Sequence, residues 1–436
     1  MLEVLGRIAF GLFGMACLVG VTALCSQQRR AIDWRLVLIG LAMQMVLVIL
    51  LLQVPGPREV LALLARGFVV LLGFVSVGTE LLFGEFADSS KYGFNFVMNV
   101  LTTVIFFASL SAVMYHLGVM QRVVRGMSWV ITRFVRLSGA ETMSVCANVF
   151  VSQTEAPLVI KPFLGAMTRS EFFTVMVGGM ATISGGMMAA YVGLLGGEDV
   201  IARQYFATHL LTASLMAVPA TFVIAKILVP ERETPLTGAE VHVEIERTTA
   251  NVVDAAATGA ADGLKLALNI GAMLLAFVSL IALMNAPLQW LGELAWSGGG
   301  SINAWLSEVC GRPTELSMQT VLGWPMAPVA WLIGVPWEDA GLVGRFIGEK
   351  IVVNEFVAYL DLSDNLGALQ ERSRLISTYA LCGFANFSSI AIQIGGLGGI
   401  APERRHDVAR LGLRAVFGGA VVTLLTATIA GVVAEF

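Results

Sequence analysis

Asn148-Val-Phe-Val-Ser-Gln153-Thr154-Glu155-Ala-Pro157 and Asn354-Glu355-Phe-Val-Ala-Tyr359 are two short polar runs inside long apolar stretches. Each is followed some 30 residues later by an apolar helix broken at a polar, glycine-rich point. The first break is Ala181-Thr182-Ile183-Ser184-Gly-Gly186, and the second is Cys382-Gly-Phe384-Ala-Asn386-Phe-Ser388-Ser389. A charged group near a bilayer midplane costs roughly 2.5–3.5 kcal/mol even on a lenient scale, so such residues line polar sites. A matched pair of broken segments in two halves of a membrane chain points to a transporter's binding site.

Composition supports the bilayer as solvent and predicts an all-α polytopic membrane protein. The 436 residues are 57% hydrophobic and 13% charged, with mean hydropathy +0.80; soluble domains carry about 25% charged residues. Several stretches exceed the ~18 apolar residues that mark a span. Net charge is −4, and no basic cluster suggests nucleic acid as a partner. Cys17, Cys25, Cys146, Cys310 and Cys382 show no metal or disulfide spacing, and they read as small apolar residues. His116, His209, His242 and His406 are dispersed, and neither a metal set nor a nucleophile–base set accompanies the glutamates, so no enzyme is expected. Gly395-Gly396-Leu-Gly398-Gly399 lacks the Lys and Ser/Thr of a phosphate loop. The N-terminal apolar run has no A-x-A cleavage site and reads as a retained span.

Eight spans are predicted, at about 4–25, 34–53, 93–117, 170–195, 203–229, 263–285, 373–397 and 408–434. Arg29, Arg30 and Arg35 place the first loop in the cytoplasm, and Arg122, Arg125, Arg133 and Arg136 form a second basic cluster. Both clusters share a side only if residues 57–84 do not cross, so that segment is expected to lie along the outer interface or to dip and return. Both termini then face outward. Residues 119–137 and 320–337 read as interface-lying helices, each followed by a re-entrant hairpin with a glutamate at or near its tip, then a broken helix, then an unbroken one. The hairpins enter from opposite sides, which makes an inverted repeat. The expected units are scaffold helices 1–118, a first repeat 119–229, an acidic cytoplasmic linker 230–262 with Glu240, Glu244 and Glu246, a scaffold helix and external loop 263–317, and a second repeat 318–436.

Hairpin tips and helix breaks expose backbone amides and carbonyls, tolerated at membrane depth only where protein or a polar cavity satisfies them. Gln153, Thr154 and Glu155 form one polar tip; Glu355, Asn386 and Ser389 form a second cluster. Two carboxylates with neither Arg nor Lys expected in the core favour an uncharged ligand rich in donors and acceptors. Lys161 and Lys350 read as interface anchors. Phe384 either covers a flat ligand or packs in the core. Met187, one turn past the first break, either packs or faces the cavity. A hard cation wants oxygen ligands, carbonyls freed at broken helices among them. Asn148, Thr182 and the carbonyls of Val151 and Ile183 are candidates, although Asn148 alone equally suits a cap or an interhelical bond.

These runs resemble the concentrative nucleoside transporter family of bacterial type. The similarity is carried by Gln153-Thr154-Glu155-Ala-Pro157-Leu, Gly348-Glu-Lys350-Ile-Val-Val-Asn354-Glu355-Phe-Val-Ala358-Tyr359 and Cys382-Gly-Phe-Ala-Asn386-Phe-Ser-Ser389. The resemblance covers about 120–430; the first hundred residues match in span layout alone. It implies a homotrimer in the bacterial inner membrane whose scaffold holds a mobile, elevator-type transport domain. Import of nucleosides such as uridine, driven by Na+ or alternatively H+, is implied with it. Gln153, Thr154 and Glu155 match positions that address the nucleobase, and Glu355, Asn386 and Ser389 those that bind ribose hydroxyls. Phe384 and Met187 match pocket positions. Asn148, Val151, Thr182 and Ile183 match the sodium site. A passive channel for small polar solutes is the competing class; a continuous pore needs neither a ligand-sized polar pocket nor paired halves.

Overall fold

The apolar runs fold as helices whose starts carry short polar side chains. Asp33, Ser138, Thr168, Asp199, Asn251, Ser317, Asn354 and Asn386 each accept a backbone N–H from the first turn that follows them, the N-cap role these residues favour. The computed structural model describes residues 2–87, 89–92, 95–135, 137–238, 249–295, 300–310 and 314–433. Arg136, Glu240, His242, Glu244, Glu246 and the Cys310 side chain lie outside the described parts.

In chain order the helices are α1 (Leu2–Leu24), α2 (Trp34–Leu52), α3 (Pro57–Phe83), α4 (Ser89–Tyr92), α5 (Thr102–His116), α6 (Val119–Phe134), α7 (Gly139–Ala147), α8 (Lys161–Leu164), α9 (Arg169–Ala181) and α10 (Gly185–Gly196). Then come α11 (Val200–Leu228), α12 (Val252–Glu293), α13 (Ile302–Cys310), α14 (Met318–Leu332), α15 (Trp337–Val352), α16 (Glu355–Asn365), α17 (Glu371–Leu381), α18 (Phe387–Ile400) and α19 (Arg405–Val433). Helices α7 and α8 with the turns between them make the first hairpin; α15 and α16 make the second. Pairs α9/α10 and α17/α18 are the two broken helices, and α11 and α19 the unbroken ones that follow.

Hydrogen bonds fix which ends of the bundle share a face. Gln27 N–H donates to Leu228 O (2.9 Å), so the end of α11 lies with Arg29 and Arg30 on one face. Gln53 Nε2 donates to Val433 O (2.8 Å), joining the ends of α2 and α19 on the opposite face. The first hairpin starts at the basic face: Gly139 N–H donates to Gly238 O (2.8 Å), and Glu141 pairs with Lys226 (2.8 Å). The second starts at the other face, where Asp339 accepts from Ser373 Oγ (2.6 Å) and Ile376 packs on Gly431 near the end of α19. Entry from opposite sides, expected of an inverted repeat, is therefore seen in the packing.

Residues 57–83 form one unbroken helix, which corrects the dip-and-return alternative: Gly67, Gly73 and Gly78 weaken a helix without having to break it. Helix α3 leaves the end of α2 and finishes near Gly197 and Arg203, where α11 begins. Both points lie away from the basic face, so α3 departs from and returns to the same side, as an interfacial helix does. Only a stripe of Leu61, Ala65, Val69, Leu72, Val75 and Thr79 is buried along it.

Among the described residues, eight helical stretches are long and apolar enough to cross a bilayer. They include α3 and omit α17–α18, where Glu371, Arg372 and Arg374 and the break at Cys382 interrupt the apolar run. Helix α12 begins at Val252, so the acidic linker is shorter at its C-terminal end than its polarity suggested. Helices α1 and α2 pack on α11 and α19, whereas α5 pairs with α12.

That α5–α12 pairing depends on small residues. A Cβ on Gly263 would stand 2.8 Å from Ala108 Cβ and from Ile105 Cα, the close backbone approach that packs helices in lipid. Gly263→Leu is expected to cost about 1–3 kcal/mol through overpacking and to lower the melting temperature in detergent. Gly271→Ala, where a Cβ meets only Leu101 at 3.4 Å, should leave it unchanged.

Candidate functional site

Both hairpin tips and both breaks meet in the interior. Asn354 accepts from Val357 N–H (2.9 Å) and so starts α16 at Glu355. Asn386 Oδ1 accepts from Ser389 N–H (2.8 Å) and starts α18. Caps in the sequence thus orient the side chains beside them. Asn386 Nδ2 donates to Glu355 Oε2 (2.8 Å), and Tyr191 OH from α10 donates to Glu355 Oε1 (3.0 Å). Gln153 Nε2, from the first tip, donates to Ser389 Oγ (3.4 Å). The result is one chain of contacts, Gln153–Ser389–Asn386–Glu355–Tyr191, joining the two repeats. All five residues are buried.

Not every expected residue joins this network. Glu155 stays exposed, its carboxylate accepting from Ser152 N–H (3.1 Å) across the tip. Thr154 is half-buried, its hydroxyl 3.0 Å from Ser152 Oγ. Phe384 is half-buried in the second break, and Met187 is buried in α10. Lys350 corrects its reading as an interface anchor, and with it the absence of cations from the core. It is 1% exposed and donates to Ala380 O (2.8 Å) and Thr423 Oγ1 (2.6 Å). Lys161 is exposed.

Two members escaped the sequence reading. Tyr191 stacks on Tyr359 with ring centroids 4.3 Å apart, and only its hydroxyl among small apolar neighbours hinted at it. Gln393 Nε2 donates to Gln153 Oε1 (3.2 Å) and to Met176 O (2.9 Å); a lone glutamine between Ile392 and Ile394 was the available signal. Removing one partner of a buried hydrogen bond costs about 1–3 kcal/mol. Gln393→Leu should therefore weaken ligand binding at this site about tenfold by freeing Gln153, with Gln393→Asn intermediate, as read by binding isotherms.

The candidate cation ligands lie beside the first break. Thr182 Oγ1 donates to Gly178 O (3.1 Å), and a Cβ at Gly178 would sit 3.5 Å from Asn148 Nδ2. Gly185 N–H donates to Phe150 O (3.1 Å), holding the tip against the start of α10. Asn148 Nδ2 donates to Ser144 O (3.2 Å), while Asn148 Oδ1 and Ser144 Oγ are buried without a hydrogen-bond partner. Buried polar atoms are normally satisfied, so neutral oxygens left open at a half-helix C-terminus fit a hard cation. Val151 and Ile183 are buried as well. A separate cavity of about 570 Å³ lies between α3, the start of α5 and the α10–α11 turn, lined by Glu80, Asn99, Glu198 and Arg203 among others; it contains none of these residues.

Opposed hairpins, paired broken helices and one buried polar network shared between repeats define a secondary transporter. The family models for the Na+ dependent nucleoside transporter N-terminus, nucleoside recognition and the Na+ dependent nucleoside transporter C-terminus match residues 13–86, 97–198 and 209–431. The chain is 39% identical to the nucleoside permease NupC of Helicobacter pylori, covering 97% of each. It is 36% identical to human sodium/nucleoside cotransporter 1, over 96% of this chain and 63% of the human one. The structure of CNTnw in an inward-facing substrate-bound state superposes with a TM-score of 0.86 at 38% identity over 98% of both chains. The chain belongs to the concentrative nucleoside transporter family, and its fold is that of an elevator-type transporter.

Proposed function

We propose that this protein is a sodium-coupled symporter that imports nucleosides such as uridine across the bacterial inner membrane, working as a homotrimer with both termini outside. The observation that carries this reading is the Gln153–Ser389–Asn386–Glu355 network linking the first tip to the second repeat. It offers amide, hydroxyl and carboxylate groups to a neutral ligand with a polar base and a hydroxylated sugar. Gln153, Thr154 and Glu155 address the base. Glu355, Asn386 and Ser389 hold the ribose, with Phe384 and Met187 against the rings. Sodium binds at the Asn148 and Thr182 side chains and the Val151 and Ile183 carbonyls. The hairpins and broken helices move together past α5 and α12.

The energetics suffice for scavenging. One sodium entering down ~100 mV gains about 2.3 kcal/mol, and a tenfold gradient adds about 1.4 kcal/mol. Together they support accumulation of roughly several hundredfold. Labelled-uridine uptake into proteoliposomes tests the reading: an inward sodium gradient should drive uptake beyond equilibration. Uptake driven by a proton gradient alone would transfer the coupling to H+, and uptake that only equilibrates would leave a passive channel.

A further inference from the structure

Helix α6 lies along the basic face without crossing the bundle. Helix α5 starts at the far face, where Asn99 and Thr102 share a cavity with Gly197 and Arg203. It ends at His116, whose Nδ1 is 2.7 Å from Thr249 Oγ1 ahead of α12. A left-handed turn at Gly118 (φ +74°) then redirects the chain. The 16 residues of α6 rise about 24 Å, yet Ser138 starts α7 back on the basic face, beside Gly238 and Lys226. The helix therefore runs in the plane of the interface. At 3.6 residues per turn its side chains divide into three sectors. Met120, Val124, Ser128 and Ile131 are buried. Val123, Val130 and Phe134 are exposed on one flank, and Arg122, Arg125, Trp129 and Arg133 on the other. Gly126 separates the flanks, with nothing within 4 Å of its Cβ position. Among the described residues, no side chain or carbonyl engages any of the three guanidiniums.

Apolar side chains beside guanidiniums, with a tryptophan among them, suit a helix at headgroup level. A guanidinium takes phosphate oxygens two at a time. A soluble anion would leave Val123, Val130 and Phe134 in water, whereas a phospholipid supplies phosphate and acyl chain together. The buried side of α6 carries the consequence. Met120 and Val124 border one narrow gap with Met143 and Ala147 of α7 and with Phe150 and Val151 of the first tip. What holds α6 therefore bears on the hairpin beneath it.

We propose that α6 docks anionic phospholipid headgroups through Arg122, Arg125 and Arg133 and so steadies the first hairpin. The test places the full chain in phosphatidylcholine nanodiscs with increasing fractions of brominated phosphatidylglycerol or brominated phosphatidylcholine. Trp129 emission is the difference between each protein and its Trp129→Phe counterpart. Phosphatidylglycerol should quench it at about a tenfold lower mole fraction, since each basic side chain near an anionic surface strengthens binding about fivefold. In 1 M choline chloride, where the screening length falls to about 3 Å, the preference should vanish. Arg122→Gln/Arg125→Gln should lose most of it, and Arg122→Lys/Arg125→Lys should keep most of it. Arg30→Gln/Arg35→Gln, which removes equal charge elsewhere on the same face, should leave it intact. Hydrogen exchange of residues 139–151 should slow about tenfold with phosphatidylglycerol in wild type and stay unchanged in the α6 glutamine variant. Equal quenching of wild type by the two lipids, or a preference that survives 1 M salt, overturns the proposal, and neither result needs a variant that folds. Loss of the preference in Arg30→Gln/Arg35→Gln also overturns it, by reducing the effect to net surface charge. Glycerol phosphate that protects the hairpin equally in phosphatidylcholine discs would replace the lipid by a free anion. A lipid preference with unchanged exchange at 139–151 would refute the steadying of the hairpin.

Discussion

Glu355→Gln is expected to weaken nucleoside binding about a hundredfold and to stop measurable uptake at low substrate, while the protein folds and inserts normally. The carboxylate accepts from Tyr191 OH and from Asn386 Nδ2. Hydrogen bonds to a charged group are worth about 1.5–3 kcal/mol, and a hundredfold change is about 2.7 kcal/mol. Glutamine keeps the shape but turns one acceptor into a donor. Tyr191 can rotate its hydroxyl to accept that donor. Asn386 cannot adapt, because its Oδ1 already serves Ser389 N–H and Ser388 Oγ; turning its amide would break the cap of α18. The amide oxygen of the substituted side chain must therefore face Asn386, which fixes the new N–H toward Tyr191 and away from any sugar hydroxyl. Equilibrium uridine binding to purified protein measures the effect directly. A variant with unchanged affinity would remove Glu355 from the site. Tyr191→Phe, which deletes one donor and keeps the Tyr359 stacking, should lie between the two.

What the sequence disclosed, and what it hid, follow from the same physics. Polar atoms in an apolar run are conspicuous because lipid cannot satisfy them, and this marked both tips and both breaks. Asn354 and Asn386 were legible twice over, since their cap positions and their polar chemistry coincide. Lys350 was misjudged because a lysine near a polar tip ordinarily snorkels toward water; only the fold reveals that α17 turns its carbonyl end toward it. Tyr191 and Gln393 are reached through contacts 164 and 240 residues away in sequence, and no local pattern carries such distances. The basic clusters placed α3 on one side of the bundle by charge arithmetic alone. Its continuity was not readable, because glycines at Gly67, Gly73 and Gly78 are as compatible with a lipid-facing helix as with a break. Grouping by chain order also concealed that α1 and α2 associate with α11 and α19 while α5 turns to α12. Whether the interface follows Gly263 and its neighbours is a property of the packed surfaces, not of order along the chain.

Asn148→Ala should raise the sodium concentration for half-maximal uptake at least tenfold while leaving nucleoside affinity at saturating sodium within twofold. The reason is the imbalance of its two amide ends. Asn148 Nδ2 is bonded to Ser144 O, so deleting it costs about 0.5–1.5 kcal/mol of folding stability. Asn148 Oδ1 is buried with no partner, so deleting it removes an atom that the fold leaves unsatisfied. A merely structural asparagine would lower the melting temperature and leave the sodium dependence alone. A sodium ligand would in addition shift the sodium dependence and lose its stabilisation by NaCl, beyond the small stability cost of the Ser144 bond seen in choline. Asn148→Asp sharpens the distinction. It keeps the open oxygen and adds charge, so sodium affinity should be retained or improved, whereas the bond to Ser144 O is lost as it is in alanine. Thr182→Val, which removes the hydroxyl beside Gly178 O and preserves volume, should shift the sodium curve in the same direction as Asn148→Ala. The double variant should shift it no further than the sum, since both side chains act on one ion. If instead all three single variants keep the wild-type sodium curve and respond to a proton gradient, the open oxygens beside the first break do not serve the coupling ion, and Glu355 or Glu155 becomes the proton carrier to mutate next.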